Sequence, residues 1–199
     1  MKLLLSVMTC DGREEALART LESIRASDWG EEPLIVHDET RHPDRQLSIV
    51  TTARVILDRV TGFDWDVWVF AEDDVIVNKF LRHNLERWTP LVNDTLLVGT
   101  LYHAAEPVPV TMDYGLVHCR QIGGSQAAVI SRKWFPTLAE RWEKLAHEGM
   151  QDLRMYRSVE DVFPWIPVHT PNLVDHQAVA STWGGRPHSS PSFSPDWRA

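Results

Sequence analysis

The stretch WDVWVFAEDDVIVNKF, residues 65–80, restricts the fold more than any other part of this chain. An apolar run from Val67 to Ala71 meets three consecutive acids, Glu72, Asp73 and Asp74, and a second apolar run, Val75 to Val77, follows at once. Continuous apolar runs of this length, without alternation, suit a strand buried on both faces. Strands of that kind belong to sheets covered by helices on each side. The rest of the chain repeats the pattern. LLLSVM (3–8), PLIVHDE (33–39), TLLVGT (95–100) and QAAVIS (126–131) read as strands. Between them, EEALARTLESIRAS and LSIVTTARVILDRV read as helices, the first with Ala16, Leu17, Thr20, Leu21 and Ile24 on one face. NKFLRHNLERW reads as a helix opened by Asn78, and SRKWFPTLAERWEKLAHEG as one that Pro136 interrupts or restarts. WIPVHTPNLV reads as extended, and the Pro-rich segment 102–118 as irregular. Alternating strands and helices predict an α/β fold with a mostly parallel central sheet flanked by helices.

In such sheets ligands bind beyond the carboxyl ends of the strands. Three polar clusters fall there: Thr9 to Arg13, Asp38 to Thr40, and Glu72 to Asp74. They are expected to converge on one crevice. At 199 residues the chain fits one domain. Within it, 1–100 is expected to form a nucleotide-binding half, 101–183 an acceptor and catalytic half, and the Gly, Pro and Ser-rich 184–199 a flexible tail or lid.

Like charges packed as closely as Glu72, Asp73 and Asp74 call for a cation. Strand alternation would place Glu72 and Asp74 on one side and Asp73 on the other. With no Lys or Arg adjacent in sequence, a hard dication, Mn2+ or Mg2+, suits them. A solvated acidic turn is the plainer alternative.

The two cysteines, Cys10 and Cys119, follow no metal spacing and fit a reduced, cytoplasmic setting. MKLLLSVMTC is too short and lacks a cleavage site for a signal peptide, and no segment approaches the length of a membrane span. A net charge of -8 argues against a general grip on nucleic acid. Nine Trp are more than a chain of this size usually carries, and most are expected in the core.

The order SVMTCDGREEALARTLESI, WVFAEDD, CRQIGGSQAAVISRKWF, EGMQDLRMY, PNLVDHQAVASTWGG resembles the nucleotide-sugar-dependent glycosyltransferases of the GT-A fold, with Glu72-Asp73-Asp74 as the EDD form of their DxD-type motif. The resemblance implies a UDP-sugar donor and a metal held by Asp74 and His176. It implies nucleotide contacts from Thr9, Arg13, Asp38, Glu72 and Asp73, with Glu39 as neighbour to Asp38. Arg54 could reach the nucleotide from its helix. Gly123 and Gly124 allow close approach to a sugar, with Gln121 and Gln126 near its hydroxyls. Ser181, Trp183 and Gly184 would lie near the diphosphate.

Asp152 matches the position of the general base in inverting members, with Glu160 and Asp161 as runners-up. The expected reaction is sugar transfer to an acceptor hydroxyl, inverting if attack is direct. The acceptor is a glycan, a small metabolite or a 5-hydroxymethylated pyrimidine in DNA. For DNA, Arg132, Lys133, Arg141, Lys144, Arg154 and Arg157 would have to form a local basic surface. No obligate protein partner is evident. A metal-dependent nucleotidyltransferase and a non-catalytic sugar-binding module are the rival classes.

Overall fold

The structure is a computed structural model that describes residues 1–39, 43–177, 179 and 188–199. The first half runs β1 (Leu3–Thr9), α1 (Glu14–Ala26), β2 (Leu34–His37), α2 (Arg45–Val60), β3 (Val67–Glu72), β4 (Val75–Val77), α3 (Leu81–Arg87), α4 (Thr89–Val92) and β5 (Val98–Thr100). The second runs β6 (Val108–Pro109), β7 (Tyr114–His118), a 3-10 turn (Cys119–Gln121), β8 (Ala127–Ser131), α5 (Phe135–Lys144), α6 (Gln151–Arg157), β9 (Trp165–His169) and β10 (Val174–His176).

Eight strands form one sheet in the order β2-β1-β3-β8-β5-β9-β7-β6. β1 pairs in parallel with β2 and β3, and β5 with β9. β8 is antiparallel to both β3 and β5, and β7 to both β9 and β6. Within this sheet, then, only β8 and β7 of the described strands run against the common direction, and the expected mostly parallel α/β sheet is borne out. The helical crossovers through α1 and α2 produce the parallel pairs of β1 with β2 and β3, because a parallel neighbour needs a connection long enough to return the chain.

β3 shows why its sequence is uniformly apolar. Val67, Val69 and Ala71 face one core, with Leu5, Val7, Ile24 and Val129, while Trp68 and Phe70 face the other, with Ile56, Leu57, Phe135 and Leu138. Helices cover both faces, so neither register position meets water.

Three local expectations need correction. The Pro-rich segment 102–118 holds β6 and β7, because Tyr114–His118 pairs along its length with β9. Asn78 does not sit at the helix boundary: α3 begins at Leu81, and Asn78 instead uses Oδ1 to accept the Phe80 N–H at 2.6 Å. Residues 188–199 are docked rather than loose. Asn78 Nδ2 donates to the carbonyls of Ser194 and Trp197 at 2.6 and 2.9 Å, and the Lys79 N–H donates to Pro195 O at 2.9 Å.

Candidate functional site

β1, β2 and β3 end at a cavity of about 250 Å3. Nine of the residues singled out in the sequence line it: Thr9, Arg13, Asp38, Glu72, Asp73, Asp74, Gly124, Asp152 and His176. Two others do not. Arg54 points to α5, donating to Ala139 O at 3.2 Å, and pairs with Asp58 one helical turn on. Gly123 is exposed beside the cavity. Of the lesser candidates, Gln126 lines the cavity and Gln121 does not, while Glu160 and Asp161 are engaged by Arg120 and Arg141. Thr40, Ser181, Trp183 and Gly184 lie outside the described residues.

The chain turns at Asp73 and Asp74, so strand alternation stops there and both side chains reach the same partner. Arg13 Nε and Nη2 donate to Asp73 Oδ1 at 3.0 and 2.9 Å, and Nη2 also donates to Asp74 Oδ2. The Thr9 hydroxyl donates to Asp73 Oδ2 at 2.6 Å. His176 Nε2 lies 3.2 Å from Asp74 Oδ2. β10 delivers that histidine by pairing antiparallel with β4, His176 opposite Val75. From α1, the buried Thr20 hydroxyl lies 2.7 Å from Asp73 O and accepts the Val75 N–H at 3.0 Å, bracing the turn. The sequence places Thr20 on the buried helix face without a role, and its being the polar member of that otherwise apolar face is the signal that could have found it.

Burial works against both Asp74 and His176 as charged groups. Their mutual hydrogen bond wins, helped by Arg13 at Asp74 and by Glu72 at His176: the Asp74 carboxyl is held below its ordinary value and His176 above it. Burial pushes the Asp73 carboxyl up despite Arg13 and Thr9.

A divalent ion on Asp74 and His176 does not fit this arrangement. The premise that no Arg or Lys stands beside the acids fails, because Arg13 crosses sixty residues of sequence to reach them. Arg13, Thr9 and His176 engage three of the four oxygens of Asp73 and Asp74. Asp74 Oδ1 and His176 Nδ1 are buried without a hydrogen-bond partner, so with Arg13 in place only one of the four carboxylate oxygens is open to a hard dication, which seeks oxygen donors. Among the described residues no group of three or more His, Cys, Asp or Glu is arranged to hold a metal ion.

Glu72 faces the other way. It accepts from the Ser125 hydroxyl and, at 3.2 Å, from Gln151 Nε2. Gln151 Nε2 also donates to Ser125 Oγ at 2.8 Å. Nothing in the sequence marked Ser125 or Gln151. Burial first, then the charge of Asp74, pushes the Glu72 carboxyl up to about 7. Below its ordinary value of 4.5 the group is neutral folded or unfolded and carries no penalty; above about 7 it is ionised in both and the folded state bears the burial cost. Stability from this group is therefore lost as pH rises between those values. Glu72→Gln should remove that slope and raise stability by about 1–2 kcal/mol at pH 8 but not at pH 4.5. Thermal unfolding at the two pH values checks this, and equal gains at both would contradict it.

Asp152, in the first turn of α6, accepts the Gly124 N–H on Oδ2 at 2.7 Å and the Leu153 N–H on Oδ1 at 2.9 Å. It thereby clamps the Gly123-Gly124 turn against the cavity. Gly124 has φ +90°, and a Cβ there would lie 2.2 Å from Gln126 Oε1. Gly124→Ala should cost about 1–3 kcal/mol and displace Gln126. Chemical denaturation measures the first, and an unchanged midpoint would remove the constraint. On the opposite wall Asp38 accepts from the Ser48 hydroxyl, and its N–H donates to Thr9 O at 2.8 Å. His188 closes a third side, its ring 4.6 Å from that of His176 and hydrogen-bonded to Tyr102.

The basic cluster is spent internally. Arg132 stacks 4.5 Å over Trp65, and Lys133 pairs with Asp94 at 2.8 Å. Arg141 pairs with Asp161, Lys144 with Glu140, and Arg157 with Glu148. Arg154 is buried and caps the carbonyls of Glu148 and Trp142. Arg154 is thus turned inward, and Lys133, Arg141, Lys144 and Arg157 each have an acid beside them, so the positive charge of this cluster is largely offset.

No family model and no curated protein matches the chain. Solved structures do. S. aureus TarS 1–349 in complex with UDP is similar over 98% of this chain and 61% of that one, with 13% identity and a TM-score of 0.50. A glycosyltransferase involved in glycosylation of the major capsid of PBCV-1 covers 81% and 76%, at 12% identity and TM-score 0.46. CMP:2-keto-3-deoxy-manno-octonic acid synthetase complexed with CTP covers 86% and 92%, at 11% and 0.45. The fold is the GT-A kind of α/β sheet. No helix among the described residues is long and apolar enough to cross a membrane.

Proposed function

We propose that the chain is a transferase that takes a sugar from a nucleotide-sugar donor, a UDP-sugar, and passes it to an acceptor hydroxyl. The observation that supports this best is the convergence of Thr9, Arg13, Asp38, Glu72 and Asp152 on one cavity beyond the carboxyl ends of β1, β2 and β3. That is where an open α/β sheet binds its ligand. A nucleotide complex of a protein sharing the fold, TarS with UDP, agrees with the reading.

In this reading the acceptor oxygen attacks the anomeric carbon as the bond from that carbon to the diphosphate oxygen breaks. The nucleoside diphosphate leaves with the bonding pair, and Asp152 takes the acceptor proton. Direct attack inverts the anomeric centre. The Gly124 turn lets the sugar approach the backbone, and Gln126 stands beside it. The acceptor is a glycan or small hydroxylated metabolite; these are favoured over DNA because acids offset most of the candidate basic side chains.

The test is direct. UDP should bind the full chain in calorimetry, and one of a panel of UDP-sugars should release UDP when acceptor hydroxyls are supplied. If no nucleotide diphosphate binds even at about 1 mM, an affinity of only ~4 kcal/mol, the reading fails.

A further inference from the structure

We infer that Arg13 is the resident counter-cation of the acidic turn, and that this site neither needs nor accepts a divalent metal ion. The metal arm of this inference stands on Arg13 and the turn alone; only its nucleotide arm rests on the proposed donor.

The geometry is specific. Arg13 is the residue just before α1, its carbonyl already accepting the Leu17 N–H at 2.9 Å, so its backbone is fixed by the helix it opens. From there its guanidinium bridges Asp73 and Asp74, with only 10% of the side chain exposed and the two carboxylates 7% and 6%. Guanidinium keeps its charge at any pH a protein survives, and its planar fork matches carboxylate oxygens. Burial makes such a pair hard to break one partner at a time, because removing either leaves an uncompensated buried charge.

A dication entering the turn would have to take the same oxygens. It would stand within a few ångströms of the guanidinium, where the repulsion is screened little by water. Asp73 Oδ1 and Asp74 Oδ2 become available only if Arg13 is displaced first, since with it in place only Asp74 Oδ1 and His176 Nδ1 are unpartnered. The acid pair that reads in sequence as a metal motif is thus already bridged by a cation sixty positions upstream. The same pair becomes a vacant dication seat only when that residue is shortened.

The experiment titrates Mn2+ alone into the full chain and counts free ion by its EPR signal, for wild type, Arg13→Lys and Arg13→Ala. Wild type and Arg13→Lys should leave the ion free up to about 1 mM. Arg13→Ala should bind one ion at least about tenfold more tightly, and Mn2+ should raise its melting temperature. One ion bound by wild type below about 0.1 mM would overturn the inference. So would a folded Arg13→Ala chain that ignores Mn2+; if that variant does not fold, the wild-type and Arg13→Lys titrations still decide. UDP should bind wild type within about twofold in EDTA and in Mn2+. A requirement for Mn2+ there would overturn the inference as well, whereas UDP binding in neither condition would defeat the donor reading and leave the Mn2+ titration to decide the role of Arg13.

Discussion

Trp68→Ala lowers the unfolding free energy by about 3–5 kcal/mol, or roughly 6–20 °C in melting temperature for a chain of this size. Trp68 is fully buried in the middle of β3. Its ring meets Phe70 and Phe135 edge-on at centroid distances of 6.0 Å each and Trp65 at 6.4 Å. Its indole N–H donates to Ser6 Oγ at 2.9 Å. Alanine empties the space between β3 and α5 and leaves a buried hydroxyl without its donor, and two costs of different origin add. The loss should be shared by the site, since β3 carries Glu72 to the cavity. A shift under about 3 °C would mean that this face of the sheet is not packed around Trp68.

Asp152→Asn should lower turnover by at least about 100-fold while UDP affinity changes less than twofold. The amide keeps an oxygen for the Gly124 N–H, so the turn should hold, and what is lost is the ability to take a proton. Calorimetry with UDP and steady-state release of UDP separate the two effects. Wild-type turnover would remove Asp152 as the base and turn attention to Glu72, whose carboxyl titrates near neutrality in the same cavity.

The parts of this site that follow from local pattern could be read in the sequence. β3 announced itself by its unbroken apolar run and the acids by their place at its end, whereas Asp152 came only from the family resemblance. What depends on the path of the chain could not. Alternation predicted opposite sides for Asp73 and Asp74, but a turn begins there and puts them together on Arg13. Arg13 was expected to touch the nucleotide, and its hold on two acids sixty positions away has no local signature. Ser125 and Gln151 carry no signature, since a hydroxyl and an amide become functional only through the carboxylate they face. β7 was hidden by neighbouring prolines, and its pairing partner β9 comes some fifty residues later.

One consequence of the sheet order concerns how this protein could be rebuilt. β8, from the second half of the chain, lies between β3 and β5 of the first, hydrogen-bonded to each. A cut at residue 100 would strip both of those strands of a ladder at once and expose their backbone groups in the middle of the molecule rather than at its rim. The expected division into a half ending at residue 100 and one beginning at 101 therefore does not correspond to two separable bodies of the sheet. Chimeras that exchange residues 101–183 wholesale should fail for want of a matching central strand, and new acceptor preferences will have to be introduced loop by loop.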